Sequence, residues 1–317
     1  MKNANPHLKD AIDEFLSTKL ALSRNTHAAY FSLLKGSTRG TKVSLGTPVG
    51  AYFHGRRVRS ITETQMLVCF NQRVEGGRQD TKHRMSKGLR EFCTFLHDRG
   101  YTDTNIGALI PKIPAGGARK DWYELKTAKR IADKAESFNL YFAILWLFLT
   151  GCRVSEAISA QQSDVKRLDD GTYLWIIPDS KTHMPREVTL PDFLGAALER
   201  SRAQNNPKPD WPVLWGYVGR GFGRRETVTA YLTAPTIRGV MARAGRAAGI
   251  YTKVTPHTAK HSYCTNWLRL HGSDERSLAQ LSVQVGTSIA QLRRAYLHHT
   301  FDEVDRGRIR SIGHDLA

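Results

Sequence analysis

The stretch PHTAKHSYCTNWL, Pro256–Leu268, decides how this chain is read. His257 and His261 stand four residues apart, and Lys260 precedes the second. A helix with this face can hold a metal, hold a phosphate, or simply carry a polar side. Zinc binding of the HExxH kind also places imidazoles at i and i+4, but its general-base glutamate is absent and Thr258 stands in that place. No third ligand has a suitable spacing, with His298 and His299 the histidines left unassigned. The phosphate-holding reading is therefore preferred, and it is tested against the rest of the chain.

The charge balance favours it. The 317 residues contain 47 Lys+Arg and 29 Asp+Glu, a formal net charge of +18, and the sequence pI is about 9.9. Unpaired charge is too costly to bury, so the surplus belongs to the surface. It implies a polyanionic partner, nucleic acid before membrane. Residues 1–118 hold 18 basic and 9 acidic residues and residues 119–317 hold 29 and 20, so each part contributes +9. A surplus spread in this way suits a surface continued over two domains better than a basic tail.

Other function classes are disfavoured. Cys69, Cys93, Cys152 and Cys264 form no CxxC pair, which argues against a thiolate zinc site and a disulfide framework. They read as reduced, mostly buried thiols of a cytosolic protein. The N-terminal stretch MKNANPHLKDAIDEF has no signal-peptide apolar core. The longest apolar run, Leu140–Leu149, is too short to span a bilayer and reads as a buried core helix. No GxxxxGK[ST] or GxGxxG loop offers a cradle for ATP.

The pattern predicts helices over 6–20, 25–34, 62–74 and 80–99, with an irregular segment over 36–60. The run PKIPAGGARK, 111–120, reads as a linker. Beyond it, YELKTAKRIADKAES predicts an amphipathic helix and FNLYFAILWLFLTG a central one apolar nearly all round. TYLWIIP and REVTLP predict a hairpin or small sheet about the turn DSKTHM. Helices follow over 191–205, 234–248, 256–270, 274–284 and 288–297. The division is thus a helical domain over 1–110, a linker over 111–120, and a second domain with a C-terminal tail over 121–317.

Four pieces of the second domain now stand in order: TGCRVSE (150–156), SKTHMPREVTLP with Lys181 in its turn, His257-x-x-Lys260-His261, and VGTSIAQLRRAYLHH (285–299) with Tyr296. Together they resemble the tyrosine recombinase family, also called the phage integrase family. That family carries T-G-x-R-x-x-E, a hairpin lysine, H-x-x-R-H, L-G-H, and a tyrosine nine residues after that histidine. The ordered resemblance covers roughly residues 121–300, and the first hundred residues match only in kind.

The resemblance implies a mainly α fold with a small β-sheet or hairpin. A helical, SAM-like core-binding domain would precede an α+β catalytic domain, the two closing as a C-shaped clamp on double-stranded DNA. It implies strand cleavage and rejoining through a 3′-phosphotyrosine intermediate, with no cofactor, metal or ATP. Tyr296 would be the nucleophile. Arg153 would hold the phosphate, for which a planar fork that never deprotonates is suited. Lys181 would protonate the leaving 5′ oxygen, and His257 would orient the phosphate or shuttle protons. Glu156 would buttress Arg153 or its helix. A homo-tetramer on two DNA sites, accessory DNA-bending or directionality proteins, and a prokaryotic cytoplasm complete the expectation.

Two positions depart from the pattern. Lys260 replaces the second arginine, which keeps charge but loses the bidentate fork. Thr287 stands where His or Trp is usual; its hydroxyl donates one hydrogen bond and carries no charge. His298 and His299 lie just past the tyrosine and one of them is a candidate to compensate, motif position favouring His298; His261 is a further candidate for support. These departures keep open an inactive DNA-binding accessory protein of the same fold. A further reading is a type IB topoisomerase, which shares the catalytic-domain chemistry and would relax supercoiled DNA without a specific site. Taken singly, Tyr296 shares a face with Ile289 and Leu292 and reads as a core tyrosine; the motif order is what gives it a role.

Overall fold

A computed structural model describes residues 5–36, 47–116, 121–178, 185–217 and 229–296. The chain divides into two compact units, Met1–Ala118 and Arg119–Ala317.

The first unit is built from α1 (Leu8–Thr18), α2 (Arg24–Leu34), α3 (Val49–Tyr52), α4 (Glu63–Val74) and α5 (Gln79–Asp98). Local chemistry sets several of the starts. Ser23 caps α2 by accepting from Thr26 N, and Thr62 and Gln65 form a reciprocal capping box on α4. The α1 face Leu8, Ile12, Phe15, Leu16 is buried, as is the α5 face Leu89, Phe92, Cys93, Leu96. Phe15 meets Tyr30, Phe92 and Phe95 edge-on at 5.2–5.4 Å between ring centroids, an arrangement aromatic quadrupoles favour.

The segment expected to be irregular contains order the pattern did not show. Its described part holds α3 and a 3₁₀ turn at Val58–Ser60, and buries Val49, Phe53 and Val58. A four-residue helix is too short to leave a periodic signature. The first half of the expected linker is also tied down. The Ser86 hydroxyl donates to the Pro111 carbonyl, His83 Nδ1 lies 2.5 Å from the Ile113 carbonyl, and Gln79 Nε2 donates to Pro114 O at 3.1 Å. Residues 111–116 therefore run along α5 as part of the first unit.

The second unit has the helices α6 (Leu125–Ala132), α7 (Phe138–Thr150), α8 (Val154–Ser159), α9 (Asp192–Asn205), α10 (Ala234–Ala247), α11 (Pro256–His271), α12 (Glu275–Val285) and α13 (Ile289–Tyr296). A three-stranded antiparallel sheet runs in the order β1 (Val165–Arg167), β2 (Tyr173–Ile177), β3 (Arg186–Leu190). The fold is mainly helical with a small sheet, as the sequence implied.

α7 is the hub. It is buried from Phe142 to Phe148 and packs against α6, α9, α10 and α11. Sheet and helix lock through Trp175 and Trp146, whose rings meet edge-on at 5.1 Å. In β2, Tyr173, Trp175 and Ile177 face this core while Leu174 and Ile176 alternate outward. Ile177 pairs with Arg186 at the end of the β2–β3 register; residues 179–184, which include Lys181, lie outside the described residues.

Three differences from the pattern have local causes. α6 stops at Ala132 rather than running to residue 137, because Ser137 caps the next helix by accepting from Leu140 N. β1 was not expected, since three residues carry no period. A second short pair, β4 (Trp215–Tyr217) with β5 (Thr229–Tyr231), escaped notice for the same reason.

Candidate active site

The site grows from the end of α7. Gly151 caps that helix in the left-handed region at φ 61°. A Cβ there would also come within 2.5 Å of the Tyr263 ring on α11. Both demands call for glycine, and they explain the Thr150-Gly151 pair ahead of Arg153. The chain then turns directly into α8, with Arg153 at its N-cap. Glu156 secures the turn by accepting from Arg153 N at 2.7 Å and from Arg153 Nη1 at 2.9 Å.

Glu156 is only 5% exposed and has a second partner. Arg186, the first residue of β3, places Nη2 2.6 Å from Glu156 Oε2, with its side chain 8% exposed. A buried carboxylate between two guanidiniums holds its charge and theirs in place. Arg186 was not singled out from the sequence. A signal was present, since an arginine starts the strand REVTLP directly after the lysine turn, but nothing in the spacing linked it to Glu156.

Lys260, on α11, is buried at 8% exposure. Its Nζ donates to the Val285 carbonyl at 2.5 Å. Desolvation lowers its pKa from 10.5 to about 8, with the Arg153 and Arg186 charges adding to the fall and Cys264 and Glu156 opposing it. The neighbouring carbonyl, Gly286 O, accepts from Arg153 Nη2 at 2.7 Å. The candidate cations of two motifs thus meet at the end of α12. Thr287 follows directly, its backbone N–H donating to Ser282 O at 3.2 Å.

Tyr296, the last described residue of α13, packs against α11 instead. It is 4% exposed, inside a cluster with Cys264, Leu268, Leu278, Leu281, Val285 and Leu292. Its phenolic oxygen is 2.5 Å from His261 Nδ1. Burial, with Cys264 beside it, pushes the phenol further up from its ordinary range, away from the phenolate. His257, one turn earlier on α11, is exposed, and its ring lies 4.2 Å from that of His261. Thr255 caps α11 and Pro256 begins it, which fixes where both imidazoles emerge. The structure thus brings Arg153, Glu156, Lys260 and the Thr287 backbone to one turn, and His257, His261 and Tyr296 to another face of α11. Lys181, His298 and His299 lie outside the described residues.

No group of three or more His, Cys, Asp or Glu able to hold a metal occurs among the described residues. No described helix is long and apolar enough to cross a membrane.

Comparison with known proteins identifies the family. The phage integrase family matches residues 122–303, more than half of the chain. Tyrosine recombinase XerC of Anoxybacillus flavithermus is 29% identical over 302 residues, covering 86% of this chain and 96% of that protein. Tyrosine recombinase XerD of Caulobacter vibrioides is 25% identical over 316 residues, covering 92% and 94%. Among solved structures, the XerH site-specific recombinase bound to a palindromic difH substrate superposes with a TM-score of 0.68 at 18% identity, covering 98% of this chain and 99% of that one. A lambda integrase dimer bound to a COC′ core site gives 0.67 at 15% identity, covering 92% and 78%. These two share the fold. With the family matched across the whole of the second unit's helical core, the chain belongs to the phage integrase family, the tyrosine-type site-specific DNA recombinases.

Proposed function

We propose that this recombinase cleaves and rejoins DNA through a phosphotyrosine at Tyr296, serving a mobile element as an integrase or resolvase. The observation that carries the proposal is the meeting of Arg153 and Lys260 on the consecutive carbonyls of Gly286 and Val285. Two cations from separate motifs share one turn, where a backbone phosphate would find both. Cations fixed in advance are what a metal-free phosphoryl transfer requires, because charge builds on the equatorial oxygens in the transition state.

In the proposed step, the Tyr296 oxygen attacks phosphorus and the P–O5′ bond breaks. The phenolic proton leaves toward the imidazole pair of α11, and the 5′ oxygen takes a proton from Lys181. The new P–O bond to tyrosine keeps the energy of the old one, so a 5′ hydroxyl can reverse the step without ATP. Tyr296 begins this sequence buried against His261, so α13 must first carry the phenol out of its pocket.

The lambda integrase tetramer bound to a Holliday junction supports a four-protomer assembly on two DNA sites for this chain too. Accessory DNA-bending or directionality proteins and a cytoplasmic setting belong to the same reading. An inactive DNA-binding role is the second reading, favoured by the buried Lys260 and by Thr287.

The deciding experiment uses nicked suicide duplexes tiled across the DNA flanking the gene. Covalent protein–DNA adduct is expected from the wild-type chain and none from Tyr296→Phe. DNA binding without adduct from any duplex supports the accessory role. Relaxation of any supercoiled plasmid would instead indicate topoisomerase chemistry.

A further inference from the structure

The carbonyls that end α12 have a third cation. Arg186 Nη1 donates to Gln284 O at 2.5 Å, Lys260 Nζ to Val285 O at 2.5 Å, and Arg153 Nη2 to Gly286 O at 2.7 Å. Three side chains from β3, α11 and the α7–α8 turn therefore occupy three consecutive carbonyls. The end of a helix is where such groups lack intrahelical partners and where the macrodipole favours cations.

Two further features tie Arg186 to Arg153. They share Glu156, one on each carboxylate oxygen, at 2.6 and 2.9 Å. The turn they share is also closed against the Arg186 side chain. Gly286 lies in the left-handed region at φ 59°, and a Cβ there would sit 2.8 Å from Arg186 Nε. Gln284 then binds β3 itself, donating to Thr189 O at 3.0 Å and accepting from Thr189 N at 3.3 Å. Arg186 has both terminal nitrogens engaged and its side chain buried, so it is not placed to hold DNA directly.

We propose that Arg186 is a positioning residue for DNA cleavage: it fixes the orientation of Arg153 through Glu156 and through the 284–286 turn. This rests on the phosphotyrosine reading above for its effect on rate. The Arg153 side chain is attached at Glu156 and at Gly286; Arg186 holds the first directly and the second through Gln284, two residues before it in the same turn. A misplacement of about 1 Å at a reacting centre costs about 100-fold in rate.

The test is Arg186→Met with Arg186→Lys, in the full chain, on a nicked duplex that the wild type captures. At saturating DNA the single-turnover capture rate of Arg186→Met is expected to fall on the order of 10- to 100-fold, with the dissociation constant changed less than about threefold. Arg186→Lys should recover part of the rate, since an ammonium keeps one of the two partners. A folded Arg186→Met that captures DNA within about threefold of the wild-type rate, or that loses rate and affinity in equal measure, overturns the proposal. Where Arg186→Met does not fold, Arg186→Lys decides: a rate drop above threefold at unchanged affinity supports the assignment, and a smaller drop overturns it.

A second measurement does not depend on activity. In a double-mutant cycle of thermal unfolding, Arg153→Ala and Arg186→Lys should be non-additive, because they act on one network. Additive effects sink the clasp. A wild-type chain that forms no adduct sinks the phosphotyrosine reading instead, and the cycle then decides the clasp alone.

Discussion

The phenolic oxygen of Tyr296 and the Nδ1 of His261 stand 2.5 Å apart, although 35 residues separate them. Both groups are buried, and the contact ties α13 to α11. The Cys264 side chain also meets this phenol, so loss of the His261 contact removes one hydrogen bond, worth about 0.5–1.5 kcal/mol net. His261→Ala should therefore lower the unfolding free energy by about that amount. Tyr296→Phe removes the other half of the same contact, so in the doubly substituted chain the losses should fall short of their sum. Denaturant titration of the four proteins measures this, and strict additivity would show that the contact contributes nothing.

Lys260 predicts a pH dependence of both stability and rate. Its folded pKa of about 8 lies below its ordinary 10.5, chiefly through desolvation. Below pH 8 both the folded and unfolded chains hold the ammonium, and the cost of burying it is fully present. Between about pH 8 and 10.5 the unfolded chain holds a proton that the folded chain has released, so this group makes stability rise with pH. Cleavage should move the other way. As the ammonium beside Arg153 loses its charge, single-turnover capture should fall above about pH 8, although a phenol reacts more readily at higher pH. Lys260→Arg keeps its proton throughout. Its profile should lack the fall, and an identical fall in both proteins would assign the titration to another group.

Much of this was legible in the sequence because it lies in local chemistry. The helices α9 to α13 begin and end within a residue or two of the expected bounds, since Thr233, Thr255 and Asp274 mark their starts as caps and Gly286 marks an end. The residues Arg153, Glu156 and Lys260 were legible through ordered motifs. Arg186 was not, because its partners Glu156 and Gln284 lie 30 and 98 residues away, and no period records such pairs. The burial of Tyr296 was legible only as a residue sharing an apolar face with Leu292. Its bond to His261 required the packing of α13 on α11.

Glu156→Gln tests the shared carboxylate. The change keeps size and one acceptor but removes the charge that Arg153 and Arg186 face at 2.9 and 2.6 Å. Breaking a buried ion pair from one side costs about 3–5 kcal/mol, and the Arg153 arm, 29% exposed, contributes the smaller part. A loss on the order of 3 kcal/mol is expected in chemical denaturation. A loss below about 1 kcal/mol would mean that water reaches the pair and screens it.

Gly286→Ala should be damaging for two separable reasons. An L-residue at φ 59° costs about 1–2 kcal/mol, and the methyl would meet the Arg186 guanidinium at 2.8 Å from Nε. Gly249, at φ 75° with nothing within 4 Å of an added Cβ, shares only the first reason. Thermal unfolding should therefore show Gly286→Ala as the less stable of the two. Equal losses would leave the clash without effect.

The charge surplus predicts the form of DNA binding. With +18 distributed over both units, contacts to phosphates should dominate affinity, and each one neutralised releases condensed counterions. For six or more phosphates, the observed association constant should fall by about 1000-fold or more between 50 and 200 mM salt. A logarithmic plot against salt should be a straight line with a slope of roughly −0.9 per phosphate. Fluorescence anisotropy on a labelled duplex gives this slope directly. The slope should stay the same for Arg186→Met, because that side chain is buried against Glu156 and the α12 carbonyls rather than offered to the backbone of DNA. A slope shallower by one unit in that variant would place Arg186 on a phosphate.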